Sequence, residues 1–421
     1  MPPENSPAKH KSLMHTGPLT QRWTQQRWQL DNIIAANGMD WDQPRSVYLS
    51  APSGALANAD FAAIRARIKK YADASPAFEA QAQRREAIAA NALAQGNLVT
   101  ARENYFIAAI HWGAAQWPID EADAQNLAYN ARKRECYTKY AGLADHHVEA
   151  VWLPIGDQKI PGWLHLPYGY SGGKIPAVIS VPGMDSFKEI GVSLYGDRWL
   201  SRGIAVLAID GPGQYEAPLT GLFVTMQDWM RTGAVCFDYL AGRAEIDADK
   251  IGIVGNSFGS FFATIAAANE PRIKAIAVSA TCLEPGAHTI FEEASPTFKM
   301  RFMFMSNIFD EAAFDKFRNS LTWEGHAEKI RAPYLCIAGQ ADELSPMRFT
   351  DALFAALKCP RQLVVYADSR HSVGAVPSAN LGPTPVTLVA DWMAARLHGE
   401  PFASEHWFVE ASGRVVKTPY A

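Results

Sequence analysis

Ile251-Gly252-Ile253-Val254-Gly255-Asn256-Ser257-Phe258-Gly259-Ser260-Phe261-Phe262-Ala263 is the stretch that decides the fold. A short apolar, β-branched run enters a tight turn with a glycine on each side of a serine. A helix of small and apolar residues, Phe261 to Asn269, leaves that turn. The flanking glycines let strand and helix approach closely, and the serine between them takes up strained dihedrals. Its hydroxyl is thereby presented at the C-terminal edge of a sheet, beside a helix N-terminus. A tight turn ending in a helix-capping serine gives the same letters. The strand before and the helix after the turn point to Ser257 as a nucleophile.

Outward from that turn, strands and helices alternate. Ala177–Val181, Ile204–Ile209, Ile273–Val278, Tyr334–Ala338 and Leu363–Tyr366 read as buried strands, with helical segments between most of them. Continuous apolar strands of this kind belong to a mostly parallel sheet covered on both faces. Val148–Leu153 and Ile160–Leu166, joined through Gly156-Asp157, read as a preceding strand pair. The segment 283–330, with Phe302-Met303-Phe304-Met305, interrupts the alternation. It reads either as a lid insertion or as a longer crossover with its apolar side on the sheet.

A serine nucleophile needs a base and an orienting acid, and on a doubly wound sheet they follow in the order serine, acid, histidine. The strand Tyr334–Ala338 runs into Gly339-Gln340-Ala341-Asp342-Glu343-Leu344-Ser345-Pro346, a proline-closed turn. Asp342 fits the acid best, with Glu343 as its competitor; either also suits the cap of a helix starting near Pro346. The strand Leu363–Tyr366 is followed by Ala367-Asp368-Ser369-Arg370-His371, and the other ten histidines lie elsewhere. His371 is therefore the candidate base. Two backbone N–H groups are needed for an oxyanion. One belongs to Phe258, after the serine, and the other is expected at Met184 in the loop Val181-Pro182-Gly183-Met184-Asp185. The turn Asp210-Gly211-Pro212-Gly213-Gln214 reads as scaffolding.

The first third differs. Ala80–Ala94, about Val99–Ala115 and about Glu121–Tyr140 have helical composition and spacing, with Gly96-Asn97 and Pro118 as stops. The first two resemble one tetratricopeptide-type hairpin, with no repeat array visible. Tyr105, Trp112 and Trp117 sit at helical spacing, as core residues would, and as the walls of an aromatic pocket would. Residues 1–20 are polar and proline-bearing and read as a leader without a signal sequence. The division expected is a leader over 1–20, a helical segment over 21–145, a catalytic domain over 146–400 and a tail over 401–421. In that tail, Trp407, Phe408 and Val409 dock as a strand or on a neighbour.

Of the 421 residues, 48% are hydrophobic and 19% charged, and the net charge is -4. That charge favours neither nucleic acid nor an anionic membrane as partner. No apolar run is long enough to span a bilayer. Five scattered cysteines, mostly in apolar contexts, share no metal-ligand spacing and suit buried thiols in a reducing, cytoplasmic compartment.

Together these residues resemble α/β-hydrolases of the 2,6-dihydroxypseudooxynicotine hydrolase type, and fungal hydrolases that shorten polyketide chains in pigment synthesis. The likeness is carried by Pro182-Gly183-Met184-Asp185-Ser186-Phe187-Lys188-Glu189, Asp210-Gly211-Pro212-Gly213-Gln214, Gly255-Asn256-Ser257-Phe258-Gly259, Asp342 and His371. Arg102-Glu103-Asn104-Tyr105 and its helix extend it, and it spans about residues 20–398. The resemblance implies an α/β-hydrolase fold with an N-terminal helical cap over the site, a homodimer, and the Ser257, Asp342 and His371 triad without metal or organic cofactor. It implies hydrolysis of a carbon–carbon bond beside a ketone in a small aromatic or polyketide-like substrate, with carboxylester or thioester hydrolysis as the alternative. It also implies an additional pocket acid, for which Glu284, Glu292 and Glu293 are candidates.

Overall fold

The computed structural model describes residues 13–14, 27–373 and 380–420. The leader expected over 1–20 lies outside them, apart from Leu13 and Met14. Residues 27–141 are helical, with α1 (Leu30–Asn37), α2 (Arg45–Ser50), α3 (Asn58–Arg67), α4 (Ala74–Ala94), α5 (Leu98–Gln116) and α6 (Ala124–Ala141). α4 stops where the sequence places the stop. Gly96 adopts φ 77°, and the Asn97 N–H turns back to the Ala92 carbonyl at 2.9 Å, a glycine-closed helix end. α6 starts later than its composition suggests, because the Asp123 carboxylate accepts the Asn126 N–H at 2.7 Å and caps the helix there. Every residue of α5 from Asn104 to Gln116 is buried. This helix is wrapped on all sides, so its apolar residues form no one-sided stripe.

After residue 147 the chain builds a ten-stranded sheet in the order β1-β2-β4-β3-β5-β6-β7-β8-β9-β10. The strands are β1 (Val148–Ile155), β2 (Gln158–His165), β3 (Ile175–Val181), β4 (Ala205–Ile209), β5 (Ile246–Ser257), β6 (Ala275–Thr281), β7 (Tyr334–Gly339), β8 (Arg361–Tyr366), β9 (Glu405–Val409) and β10 (Val415–Pro419). Pairing is parallel from β4 through β9. It is antiparallel for β1 with β2, β2 with β4, and β9 with β10. The central strands carry Val, Ile and Ala on both faces, which suits burial under helices on both sides. One apolar core lies under α7 (Met226–Ala241) and α8 (Phe258–Ala268), and another on the opposite face, where Met393 and Trp392 of the helix Pro385–Leu397 pack. This is the α/β-hydrolase fold.

The tail docks as a strand, one of the two arrangements expected for Trp407, Phe408 and Val409, and so continues the sheet past residue 400. β9 pairs in parallel with β8, and the Ala367 N–H just past β8 donates to the Val409 carbonyl at 2.9 Å. β8 is therefore an interior strand, and the loop that bears His371 is backed by the tail.

The helical segment does not stand apart either. Its core includes Trp163, Phe187, Leu194 and Tyr215, which come from the hydrolase part. A Cβ at Gly113 in α5 would lie 2.4 Å from the Phe187 ring, so the glycine allows α5 to seat on the loop after β3. In 283–330, Phe291 and Phe302 stack on Phe258, and Phe314 packs against both. That segment therefore packs its apolar side on the start of α8, as the crossover reading expects.

Candidate active site

β5 ends at Ser257, which adopts φ 54° and ψ -130° before α8 begins at Phe258. Positive φ is costly for a residue with a side chain, and the turn holds it there by close packing. A Cβ at Gly255 would meet the Gly259 carbonyl oxygen at 2.2 Å, and one at Gly259 would meet the Pro182 oxygen at 2.4 Å. Both glycines are thus required by backbone contact. Ser257 is half-buried and its neighbour Asn256 exposed, so the hydroxyl borders solvent.

Three loops meet at this hydroxyl. Ser257 Oγ lies 3.0 Å from His371 Nε2, and His371 Nδ1 lies 3.0 and 3.2 Å from the two oxygens of Asp342. Asp342 is fixed in turn by the Leu344 and Ser345 N–H groups, which donate to Oδ1 at 2.8 and 2.9 Å. The acid loop and the histidine loop are stitched together. The Ala341 N–H donates to the Ser369 carbonyl at 2.9 Å, and a Cβ at Gly339 would strike the Arg370 oxygen at 2.2 Å. Burial works against the charged form of His371. The adjacent Asp342 carboxylate outweighs it and holds the imidazole well above its ordinary value. Glu343, the competing acid, does not touch the ring. Its Oε2 accepts the backbone N–H of His371 at 3.0 Å.

The loop after β3 closes the other side. A Cβ at Gly183 would lie 2.9 Å from Ser257 Cβ and 3.5 Å from its Oγ, so the 183–184 peptide is pressed against the serine. The Phe258 N–H is the first of α8, among the N–H groups of a helix start that have no carbonyl within the helix. Gln214 ties the Asp210–Gln214 turn to this loop. Its amide donates to the Pro182 carbonyl at 2.5 Å and accepts the Gly211 N–H at 2.9 Å. Cys282 Sγ sits 3.8 Å from Ser257 Oγ, a neighbour that no sequence motif marked.

Of the residues expected in a pocket, Tyr105 and Trp112 are placed in the core of the helical layer. They are 2% and 3% exposed, Trp112 packs on Tyr129 at 5.4 Å, and its indole N–H donates to Glu86 at 3.3 Å. Their helical spacing serves packing within the helical core. Trp117 differs, since it stacks with Trp41 and under the Arg45 guanidinium, 3.7 Å from the ring centre. Glu284, two residues past Cys282, is buried and accepts the Thr289 N–H at 2.7 Å; burial raises its carboxyl pKa. It lines a cavity of about 320 Å³ with His288, Glu293, Arg348, Phe349 and Leu13. Glu292 is instead paired with Lys299 at 2.9 Å, and Glu293 is exposed.

Behind the loop after β3 lies a buried charge network. Lys188 Nζ reaches Glu216 at 2.5 Å, Glu189 at 3.0 Å and Asp210 at 3.2 Å, and Lys133 of α6 lies 3.4 Å from Glu189. Burial opposes ionisation of Glu189, yet the two ammonium groups hold its pKa down at about 2. Trp163 also donates to Glu189, at 3.0 Å. All five cysteines are buried and unpaired. Among the described residues no group of three or more His, Cys, Asp or Glu side chains could hold a metal ion, and no helix is long and apolar enough to cross a membrane.

Known proteins share this chain's features. An alpha/beta hydrolase of Xenoacremonium sinensis, xenA, is 32% identical over 237 residues, 54% of this chain and 56% of its own. The chain thus spans little more than half the length of that relative. The 2,6-dihydropseudooxynicotine hydrolase of Paenarthrobacter nicotinovorans is 28% identical over 280 residues, 64% of this chain and 71% of its own. The crystal structure of a 2,6-dihydroxy-pseudo-oxynicotine hydrolase superposes with a TM-score of 0.72 at 25% identity, covering 85% of this chain and 98% of that one. The model of the FrsA-like esterases matches residues 80–315, more than half of the chain, from α4 through the aromatic insertion. The chain therefore belongs to the FrsA-like family of α/β-hydrolases.

Proposed function

We propose that this protein is a serine hydrolase that cleaves a carbon–carbon bond beside a ketone, in an acyl-phenol, a β-diketone or a substrate like 2,6-dihydroxypseudooxynicotine. The observation that carries the serine chemistry is the continuous line from Ser257 Oγ through His371 to Asp342, with both hydrogen-bonded steps at 3.0 Å. The ketonic substrate class is supported by the likeness to the oxynicotine hydrolase along nearly its full length.

In this reading Ser257 Oγ adds to the ketone carbon while His371 Nε2 takes its proton, and Asp342 holds the imidazolium. The N–H groups of Met184 and Phe258 receive the oxyanion. Collapse breaks the carbon–carbon bond, and the departing carbon takes the proton back from His371. A hydroxylated ring or an enol makes that carbon a tolerable leaving group. Water, with His371 as base, then hydrolyses the acyl-serine. No metal or organic cofactor takes part. Assembly as a homodimer through the helical segment and a cytoplasmic location belong to the same proposal.

The alternative is ester or thioester hydrolysis with the same residues, and the FrsA-like esterase match favours it. The two differ in what stabilises the leaving group, because fold does not fix the reaction. The test is to incubate the protein and its Ser257→Ala variant with acyl-dihydroxyarenes, p-nitrophenyl esters and an acyl-coenzyme A, reading products by mass spectrometry. Free acid and free ring from the arenes, with poor ester turnover, is the expected outcome. Efficient ester or thioester cleavage with every arene intact would overturn the carbon–carbon reading. An active Ser257→Ala variant would overturn the nucleophile.

A further inference from the structure

Between α1 and α2 the helical layer sends one short segment, Trp41-Asp42-Gln43-Pro44-Arg45, onto the loop after β3, the insertion, the acid loop and the histidine loop. Arg45 Nη2 meets the Asp185 carboxylate at 2.7 Å, one residue past Met184. Its Nη1 is held by Asp42 at 2.6 Å, and the Trp41 indole N–H donates to Ser295 Oγ at 3.4 Å in the insertion. Gln43, 9% exposed, reaches the two remaining loops. Its Oε1 accepts from Ser372 Oγ at 3.0 Å, and its Nε2 lies 3.5 Å from Glu343 Oε1. Ser372 follows His371 directly, and Glu343 accepts the His371 backbone N–H at 3.0 Å. One amide of the helical layer thus spans the acid loop and the histidine loop at their junction.

We infer that Gln43 is a positioning residue for His371, acting through Glu343 and Ser372, so that the helical layer sets the geometry of the base. The inference rests on the triad reading proposed above. The imidazole is held at its ring by Asp342 and Ser257, and its backbone is held from the side by Glu343. The second oxygen of Glu343 faces Gln43. Without that amide, the Glu343 carboxylate is free to turn away, and Ser372 loses its side-chain acceptor. Small displacements at a reacting group are costly in rate, on the order of 10²-fold for 1 Å. Such a role lowers the chemical step and leaves substrate affinity nearly alone.

The test uses the full chain and a fluorophosphonate probe, which needs no knowledge of the natural substrate. The serine oxygen bonds to phosphorus, fluoride leaves, and His371 takes the hydroxyl proton. Wild type should be labelled and Ser257→Ala should not. Gln43→Leu should be labelled more slowly by about tenfold or more through its maximal rate, with the probe concentration for half-maximal rate changed less than about twofold. Ser372→Ala should show a smaller loss of the same kind and keeps the question open to measurement if Gln43→Leu fails to fold. On a Glu343→Ala background, Gln43→Leu should cost less than it does alone and no more than Ser372→Ala, because only the Ser372 contact is left to lose. The low-field proton resonance of His371 Nδ1–H should shift or broaden in Gln43→Leu, which a merely stabilising contact would not cause.

Folded Gln43→Leu and Ser372→Ala variants with wild-type labelling and an unmoved resonance would overturn the positioning role while leaving the triad in place. Full additivity of Gln43→Leu with Glu343→Ala would overturn the route through Glu343. A wild-type protein that resists the probe altogether would overturn the triad reading, and this role with it.

Discussion

At the scale of single residues, the electrostatics of His371 make a directional statement. As the proposed base, His371 must be neutral to accept the serine proton, so activity is expected to rise as pH passes upward through its pKa. Asp342 holds that pKa above the ordinary 6.5 against the pull of burial. Substituting Asp342→Asn removes the charge and leaves the burial. Nuclear magnetic resonance titration of His371 in the free protein should then give a pKa lower than in wild type, and kcat/KM should fall by on the order of 10⁴-fold. An unmoved pKa would mean that Asp342 does not govern the imidazole. These three residues were legible from sequence because each sits at a loop whose place on the sheet is set by strand order. Asp342 was favoured over its neighbour Glu343, and the structure sends Asp342 to the ring and Glu343 to the backbone of His371. Cys282 and Gln43 left no local signal. Gln43 meets its partners 300 and 329 positions away.

At the scale of elements, legibility followed burial. β3, β5, β6, β7 and β8 are covered on both faces, and their apolar runs marked them. β9 is only half-buried over Glu405–Phe408 and mixes charged, polar and aromatic residues, so it gave no strand period. α5 gave a helix by composition, but its all-round burial erased the side that would have told core from pocket for Tyr105 and Trp112. Of the two arrangements expected for Trp407, Phe408 and Val409, the structure has the strand, and that docking leads to an expectation of its own. β9 covers the edge of β8, and β10 covers β9 in turn. Val409 accepts from Ala367 at 2.9 Å and from the Asn380 amide at 3.0 Å, on either side of His371 in sequence. A chain stopped after Gly399 exposes the β8 edge and removes the carbonyl that accepts both bonds. It should aggregate, or fold with its probe labelling slowed by about tenfold or more. Solubility and fluorophosphonate labelling of that truncation measure this directly, and wild-type behaviour in both would mean that the tail is dispensable.

For the whole molecule, the question is whether the helical layer and the sheet are one cooperative unit. A chain of this length ordinarily divides into domains that unfold separately. Here the junction is a core. Trp163, Phe187, Leu194 and Tyr215 of the hydrolase part are packed into the helical cluster, and Lys133 of α6 lies fully buried beside Glu189. Lys188 is central to that junction, ringed by Glu189, Asp210 and Glu216, and the three carboxylates hold its ammonium well above the usual lysine range despite burial. Removing one partner of a buried charge cluster costs about 3–5 kcal/mol, because the opposite charges stay behind without compensation. Lys188→Met leaves three carboxylates with Lys133 alone inside the fold and Arg134 at its edge, 3.3 Å from Glu216. Thermal unfolding followed by circular dichroism and by tryptophan fluorescence should give one coincident transition in wild type. In Lys188→Met both signals should move down together. If the helical signal melted apart from the sheet, or if only one of them moved, the layer would be a docked domain. The positioning of His371 by Gln43 would then depend on a docking equilibrium, and labelling of Ser257 would fall on warming before the sheet itself unfolds.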